Sequence, residues 1–356
     1  MMVVSVIIPI YKVETYIRRC LGSVMTQECN GYHIECILVD DCSPDRSMEI
    51  VNEMIDEYQG KNISFLLLRH ESNKGLSAAR NTGIKAATGD YLFFMDSDDY
   101  ILENTLKNLI SHLLAYPFVD VVMGISLRVE SNELTNSLIM DNNMYPVLLD
   151  DKRQMWELLL NRKLDHHAWN KLVSRSLVLK HHLMFEESII FEDKFWTYRL
   201  VSCISSILII PKQTYIYENN PFSIIHTPSK RSNQLLSSFA LICETILNHP
   251  PVIDSKKCLF VEHHIFVQHW MLVALDYARQ YGVEWDTKKR LDSVRRRLFG
   301  RALCRCRLIL AFYSLTLFPP LTFFLEYRFY RSNLYCLEKF AYLMAKCGDK
   351  IRFYIN

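Results

Sequence analysis

The sequence predicts an α/β protein: a mixed, mainly parallel sheet flanked by helices over the first 220 residues, followed by a helical C-terminal region. Three observations carry this. Short β-branched or aromatic runs alternate with amphipathic segments across residues 3 to 114. Each run ends in a polar, turn-rich stretch, and from about Pro221 the apolar period becomes helical.

The strands in order are "VVSVIIPI", "IECILVD", "ISFLLLR" and "YLFFM". Between them Ile17, Leu21, Val24 and Met25, then Met48, Val51, Met54 and Ile55, recur at helical spacing, so each set lays one stripe on the sheet. Residues 101 to 220 add "VDVVMGISLRV" and "SSILIIPKQTYIYE" as further strands of the same sheet, with no linker-like composition before them. The last part carries "QLLSSFALICETIL" and "LFVEHHIFVQHWMLVALDYARQY" as long helices. The expected divisions are 1–105, 106–220 and 221–356.

A chain of 356 residues that is 50% hydrophobic buries a substantial core. Its 41 Lys+Arg against 39 Asp+Glu leave a net charge of +2, which gives no global field for nucleic acid. The 11 cysteines lack the paired spacing of a zinc site or a small disulfide scaffold and fit a reducing compartment. The N-terminus reads as a first strand rather than a targeting segment, so the expected location is cytoplasmic. Neither Gly-rich phosphate-loop motif occurs, which disfavours a nucleotidyltransferase.

In open α/β sheets ligands bind beyond the carboxyl ends of the strands. Here those ends are "PIYKVE", "DDCSPDRS", "HESNKGLSAARN" and "DSDDY". In the last, Asp96 and Asp98 lie two apart, so in an extended segment both side chains point the same way. Crowded carboxylates raise one another's proton affinity unless a cation neutralises them, and all-oxygen donors select Mg²⁺ or Mn²⁺. Beside a diphosphate, such an ion stabilises the charge of the leaving group. The plainer reading is that Asp98 or Asp99 caps a helix starting near Ile101, which accounts for one aspartate and not three.

Taken in order, "VSVIIPIYKVETYIRRCLGSV", "ECILVDDCSPDRS", "NKGLSAARNTGIKAATGDYLFFMDSDD", "AWNKLVSRSLV" and "FEDKFW" resemble the family 2 glycosyltransferases. The likeness is dense over residues 3 to 100 and looser to about Glu218. It implies a GT-A fold and an inverting transfer from a nucleotide-sugar, usually a UDP-sugar. By matching position it puts Pro9, Tyr11 and Glu14 in the nucleotide pocket and Asp41 against the base. Asn73, Lys74 and Gly75 match the loop that closes over the nucleotide, with Arg80 on the following helix. Asp96 falls near the ribose or the metal shell, and Asp98 is the direct metal ligand. Asp193 becomes the base, with Glu192 as the alternative base or an acceptor-orienting group, and Trp169 and Lys171 lie on the acceptor side.

Each position also has a plainer reading. Tyr11 serves as a sheet-edge aromatic, Asp41 and Gly75 as turn residues, Lys74 as a solvated charge and Trp169 as core. Glu192 and Asp193 alone suit the first turn of a helix, where acids favour the dipole. The histidine pairs 166/167, 181/182 and 263/264 read as structural or solvated, since neighbours on a helix face different ways.

Near the C-terminus arginines flank an apolar run at 308–325, which Pro319 and Pro320 interrupt. A spanning helix needs about 20 apolar residues, so the stretch 295–345 reads as lying in the membrane interface, on the cytoplasmic face of the inner membrane. A helical hairpin buried against protein is the alternative. The expected activity is therefore transfer to a glycan or polyprenyl-linked acceptor in surface polysaccharide assembly. A binding-only member of the same fold would lack carboxylates that Asp96, Asp98 and Asp193 supply.

Overall fold

The structure, a computed structural model, describes residues 1–130, 133–136, 145–218, 220, 232–251 and 260–304. Two compact units divide the chain, Met1–Ser223 and Ile224–Asn356.

The first unit opens with β1 (Met2–Ile10), α1 (Ile17–Met25), β2 (Tyr32–Asp40), α2 (Ser47–Glu57), β3 (Ile63–Arg69), α3 (Leu76–Ala86) and β4 (Tyr91–Phe94). These four strands are parallel in the order β3-β2-β1-β4. Residues 4–10 of β1 are all buried, as a strand covered on both faces requires, which is why its sequence is apolar but for Ser5. One face receives Ile17, Leu21 and Val24 of α1. On the other, α3 comes so close that a Cβ at Gly83 would lie 2.4 Å from Ile7 Cγ2, and this close approach seats α3 deep against the sheet.

Beyond β4 come β5 (Tyr100–Ile101), α4 (Thr105–Ala115), β6 (Val121–Glu130), β7 (Glu133–Asn136), β8 (Val147–Leu149), α5 (Lys152–Leu160), β9 (Lys171–Ser174), α6 (Arg175–Lys180), α7 (Glu192–Cys203) and β10 (Ile207–Tyr217). The sheet continues β4-β9-β6-β10-β5, with β7 on β6 and β8 on β10. Strand β9 is antiparallel to both β4 and β6, while β10 is parallel to β6. The ends of β4 and β10 therefore open on the same side.

One expectation changes, and one element comes into view. No helix starts near Ile101: Tyr100 and Ile101 pair with Ile216 and Tyr215, and α4 begins at Thr105. The Gln27 amide holds this junction, donating to Leu102 O at 2.8 Å and accepting from Leu106 N at 3.0 Å. "KLVS" of the AWNKLV element is a strand, β9, inserted between β4 and β6.

The second unit holds α8 (Ser232–Asn248), α9 (Phe260–Tyr281) and α10 (Trp285–Cys304). Phe239 meets Trp270 at 5.5 Å, and Arg290 pairs with Glu244 at 2.7 Å. Of the histidine pairs, buried His263 binds Ile246 O at 2.9 Å, and burial pushes it down to about 4. Among the described residues no helix is long and apolar enough to cross a membrane. The 308–325 run and most of the 295–345 stretch lie outside the described residues.

Candidate active site

The loops after β1 and β2 are tied into one wall. Lys12 N donates to Ser43 Oγ at 2.8 Å, Glu14 N to Asp45 Oδ2 at 3.0 Å, and Arg46 N returns a bond to Glu14 Oε2 at 3.0 Å. Pro9 is buried at the end of β1, while Tyr11 is exposed on the wall. Asp41 is buried, and its carboxylate is already bound. Lys74 N reaches Oδ1 and Gly75 N reaches Oδ2, both at 2.8 Å, and His70 Nδ1 lies 2.7 Å from Oδ1. Asn73 Nδ2 donates to Asp41 O at 3.3 Å. Asp41 thus fixes the 73–75 loop, whose Gly75 has φ +90°, a conformation that favours glycine.

Arg80, projecting from α3, joins the second wall. Its Nη2 lies 2.6 Å from Asp96 Oδ1 and its Nη1 2.7 Å from Glu192 Oε1. The guanidinium is buried over the Phe185 ring, and among the described residues Nε has no hydrogen-bond partner. Burial alone would weaken its charge; Asp96 and Glu192 more than offset this and hold it protonated. One side chain thus gathers the acidic loop after β4 and the acidic start of α7, which are 96 residues apart in sequence.

Within the acidic loop the three aspartates differ. Asp96 keeps a quarter of its side chain exposed. Asp98 accepts from Asn220 Nδ2 at 2.9 Å, and burial, then Asp96, raises it above the usual carboxylate range. Asp99 is fully buried and caps no helix: it accepts Tyr215 Oη at 2.7 Å and Glu218 N at 2.9 Å. Burial, then Asp98 and Asp96, puts it well above the usual range. Tyr215 Oη also accepts from Asp96 N at 3.1 Å, so the end of β10 holds the loop.

At α7, Phe191 sits at φ +66°, a strained conformation for a non-glycine, immediately before the acidic pair. Glu192 turns inward to Arg80; burial raises it to about 7, with Arg80 opposing and Asp193 adding to the rise. Asp193 is half-buried, and Lys194 N donates to its Oδ1 at 2.7 Å. Glu192 is thus committed to an ion pair, and Asp193 is the more accessible of the two.

The AWNKLV element lies under this site. Trp169 is buried between His167, 4.4 Å away, and Tyr215, 4.3 Å away, with near-parallel rings. Both indole faces are taken by side chains, so Trp169 is packed as core and offers no face to a sugar. Lys171 is buried as well, donating to His167 O at 2.6 Å, and burial lowers its proton affinity. Asn170 bridges β6 and β10, donating to Gly124 O at 3.0 Å and accepting from Thr214 Oγ1 at 2.7 Å.

The donor set fits a hard divalent cation: Asp96 and Asp98 present only oxygens, Arg80 takes one Asp96 oxygen, and the charge on Asp98 is under-compensated. Among the described residues no group of three or more His, Cys, Asp or Glu forms a ready cage. Two carboxylates completed by substrate phosphate and water is the usual Mg²⁺ arrangement. Sequence reasoning missed Tyr215 and Asn220. Tyr215 and Asn220 reach the aspartates from 116 and 122 residues away and carry no motif.

Comparison with known proteins agrees with this layout. The sequence model described as "Glycosyl transferase family 2" matches residues 5–179. The uncharacterized glycosyltransferase EpsJ of Bacillus subtilis is 32% identical over 237 residues, covering 64% of this chain and 64% of EpsJ. The putative glycosyltransferase EpsH of the same organism is 31% identical over 233 residues, again 64% of each chain. The chain therefore spans about 64% of the length of these curated relatives. Among solved structures, TarS 1–349 of S. aureus in complex with UDP-GlcNAc superposes with a TM-score of 0.64 at 20% identity, over 88% of this chain and 87% of that one, a match of fold.

Proposed function

Because the chain belongs to glycosyl transferase family 2 through residues 5–179, we propose that it moves a sugar with inversion from a nucleotide donor to the hydroxyl of a glycan or polyprenyl-linked glycan. The single observation that carries this is Arg80 drawing Asp96 and Glu192 to one guanidinium, at the strand ends where an α/β sheet takes its ligand. The fold it shares with a UDP-GlcNAc complex makes UDP-N-acetylglucosamine the first donor to try.

In this reading residues 1–105 hold the nucleotide and 106–220 the acceptor. The base and ribose lie along the wall of Pro9, Tyr11, Glu14 and Asp41, with Asn73, Lys74 and Gly75 closing beside them. Asp98, with Asp96, would hold Mn²⁺ or Mg²⁺, which when bound supplies positive charge to the departing diphosphate. Asp193 accepts the proton of the acceptor hydroxyl while its oxygen forms the bond to the anomeric carbon. The bond from that carbon to the phosphate oxygen breaks, and its electron pair leaves with the nucleoside diphosphate. Glu192 holds Arg80 in place, leaving Asp193 as the base. Lys171 supports the acceptor side from beneath. Residues 295–345 would rest on the membrane that carries a lipid-linked acceptor.

The test is nucleoside-diphosphate release from a panel of sugar-nucleotides, with Mn²⁺ or EDTA and an acceptor extract. Metal-dependent release, lost in Asp98→Asn and Asp193→Asn, is the expected outcome. No release with any donor would return the chain to a binding-only role.

A further inference from the structure

We infer that Asn220 is a positioning residue for the cation site: its amide holds one oxygen of Asp98, so that this carboxylate presents the other to a cation and favours a small octahedral ion over Ca²⁺. The inference rests on Asp98 and Asp96 as the protein's ligands for that cation.

The two aspartates are held in parallel ways. Asn220 Nδ2 donates to Asp98 Oδ2 at 2.9 Å, and Arg80 Nη2 donates to Asp96 Oδ1 at 2.6 Å. An ion that binds either carboxylate through both oxygens must compete with an N–H for one of them. The donors differ in charge. Arg80 is a cation and offsets the charge of Asp96, whereas the Asn220 amide is neutral: it fixes an oxygen of Asp98 and leaves the negative charge for an ion to meet.

The direction of the amide follows from its neighbours. An ionised carboxylate only accepts, so the Nδ2 end faces Asp98, and Tyr16 Oη stands 3.5 Å from Oδ1, at the limit of hydrogen-bond reach. The position of the chain does not depend on this amide. Two residues earlier Glu218 N donates to Asp99 Oδ1 at 2.9 Å, and the Glu218 carboxylate pairs at 2.9 Å with Arg19 of α1, whose guanidinium lies over the Tyr100 ring. The segment leaving β10 is therefore fastened to the acidic loop and to α1 before it reaches Asn220. A substitution at 220 takes away a donor to Asp98 and leaves those fastenings in place.

The number of oxygens each carboxylate offers gives the selectivity. Ca²⁺ gathers more oxygens and accepts both from one carboxylate, whereas Mg²⁺ demands a near-ideal octahedron, which single oxygens from Asp96 and Asp98 can build together with phosphate and water. Hydrogen bonds orient a ligating carboxylate, and losing such a partner typically costs about 10–100-fold in metal affinity.

The test is cation binding by the full chain, read by Mn²⁺ electron paramagnetic resonance at fixed UDP against a UDP-only blank, with Mg²⁺ and Ca²⁺ as competitors. In Asn220→Ala the affinities for Mn²⁺ and Mg²⁺ are expected to fall about 10–100-fold while Ca²⁺ holds or gains, so the preference for Mg²⁺ over Ca²⁺ narrows or reverses. Asn220→Asp, which is isosteric and also removes the N–H, carries the same expectation and decides the matter if the alanine variant does not fold. An unchanged preference overturns the inference, and so does an equal weakening of all three ions, which is what a purely structural strap gives. If the wild-type chain takes up no cation beyond the blank, the assignment of Asp98 and Asp96 as ligands fails, a result distinct from an unchanged preference.

Discussion

Two acid-rich loops end strands of the same sheet, and they do opposite things with their carboxylates. After β2, Asp45 accepts from Ser43 Oγ and Ser47 Oγ at 2.6 Å each and from Glu14 N; against the effect of its burial these bonds lower its pKa. Asp41 is likewise filled by the Lys74 and Gly75 amides. After β4, Asp98 is half-buried and Asp99 fully buried, and burial together with the neighbouring aspartates raises both. The first loop spends its acids on backbone geometry and shapes a wall. The second leaves negative charge under-compensated, which is where a cation and a diphosphate have something to gain.

The largest effect that separates the loops is on turnover. Asp193→Asn is expected to lower kcat by about 10²–10⁴-fold, the usual worth of a positioned base, measured as diphosphate release. Asp45→Asn should produce no loss of that order; if it does, the contrast between the loops fails.

Next is Arg80→Met, which leaves Asp96 and Glu192 facing each other with no cation. Removing one partner of a buried ion pair costs roughly 3–5 kcal/mol. Urea unfolding of the variant checks it, and Arg80→Met combined with Glu192→Gln should recover part of the loss.

Smaller again is Tyr215→Phe, which deletes a hydrogen bond to buried Asp99 and the acceptor for Asp96 N, at a cost of about 1–3 kcal/mol. Asp45→Ala removes a cap-like acceptor at the start of α2 and should cost about 1 kcal/mol.

The finest test is the sign of the pH dependence. Glu192 rises from 4.5 to about 7, so the folded state binds more protons between those values, and its contribution to stability falls as pH rises through that window. Asp45 is lowered from 3.8, so its contribution is present above that value and is lost as pH falls through its lower folded value. Urea midpoints at pH 5 and pH 7 should fall more steeply in wild type than in Glu192→Gln.

Much of the fold was legible in the chain. Runs such as residues 3–10 and 34–40 are mostly apolar because parallel strands are covered on both faces, and α1 and α2 show one stripe each because they are covered on one. β5 and β9 were not legible: strands of two and four residues have no period to read, and they exist only through their partners β10, β4 and β6. The helix expected at Ile101 failed for the same reason, since pairing with β10 won over the capping preference of aspartate.

For the site, sequence alone placed aspartates at strand ends, where the α/β architecture puts ligands, and its motif order pointed to the family. It did not distinguish Asp41, saturated by amides, from Asp98, which is not, because both follow apolar strands. Nor did it separate Glu192 from its neighbour Asp193. Tertiary structure gives each its own surroundings, through groups more than 30 residues away in the chain: Lys74 and Gly75 on Asp41, Asn220 on Asp98, and Arg80 on Glu192. Apolar periodicity is local and survives in one dimension, whereas the charge state of a buried acid depends on who else is buried beside it.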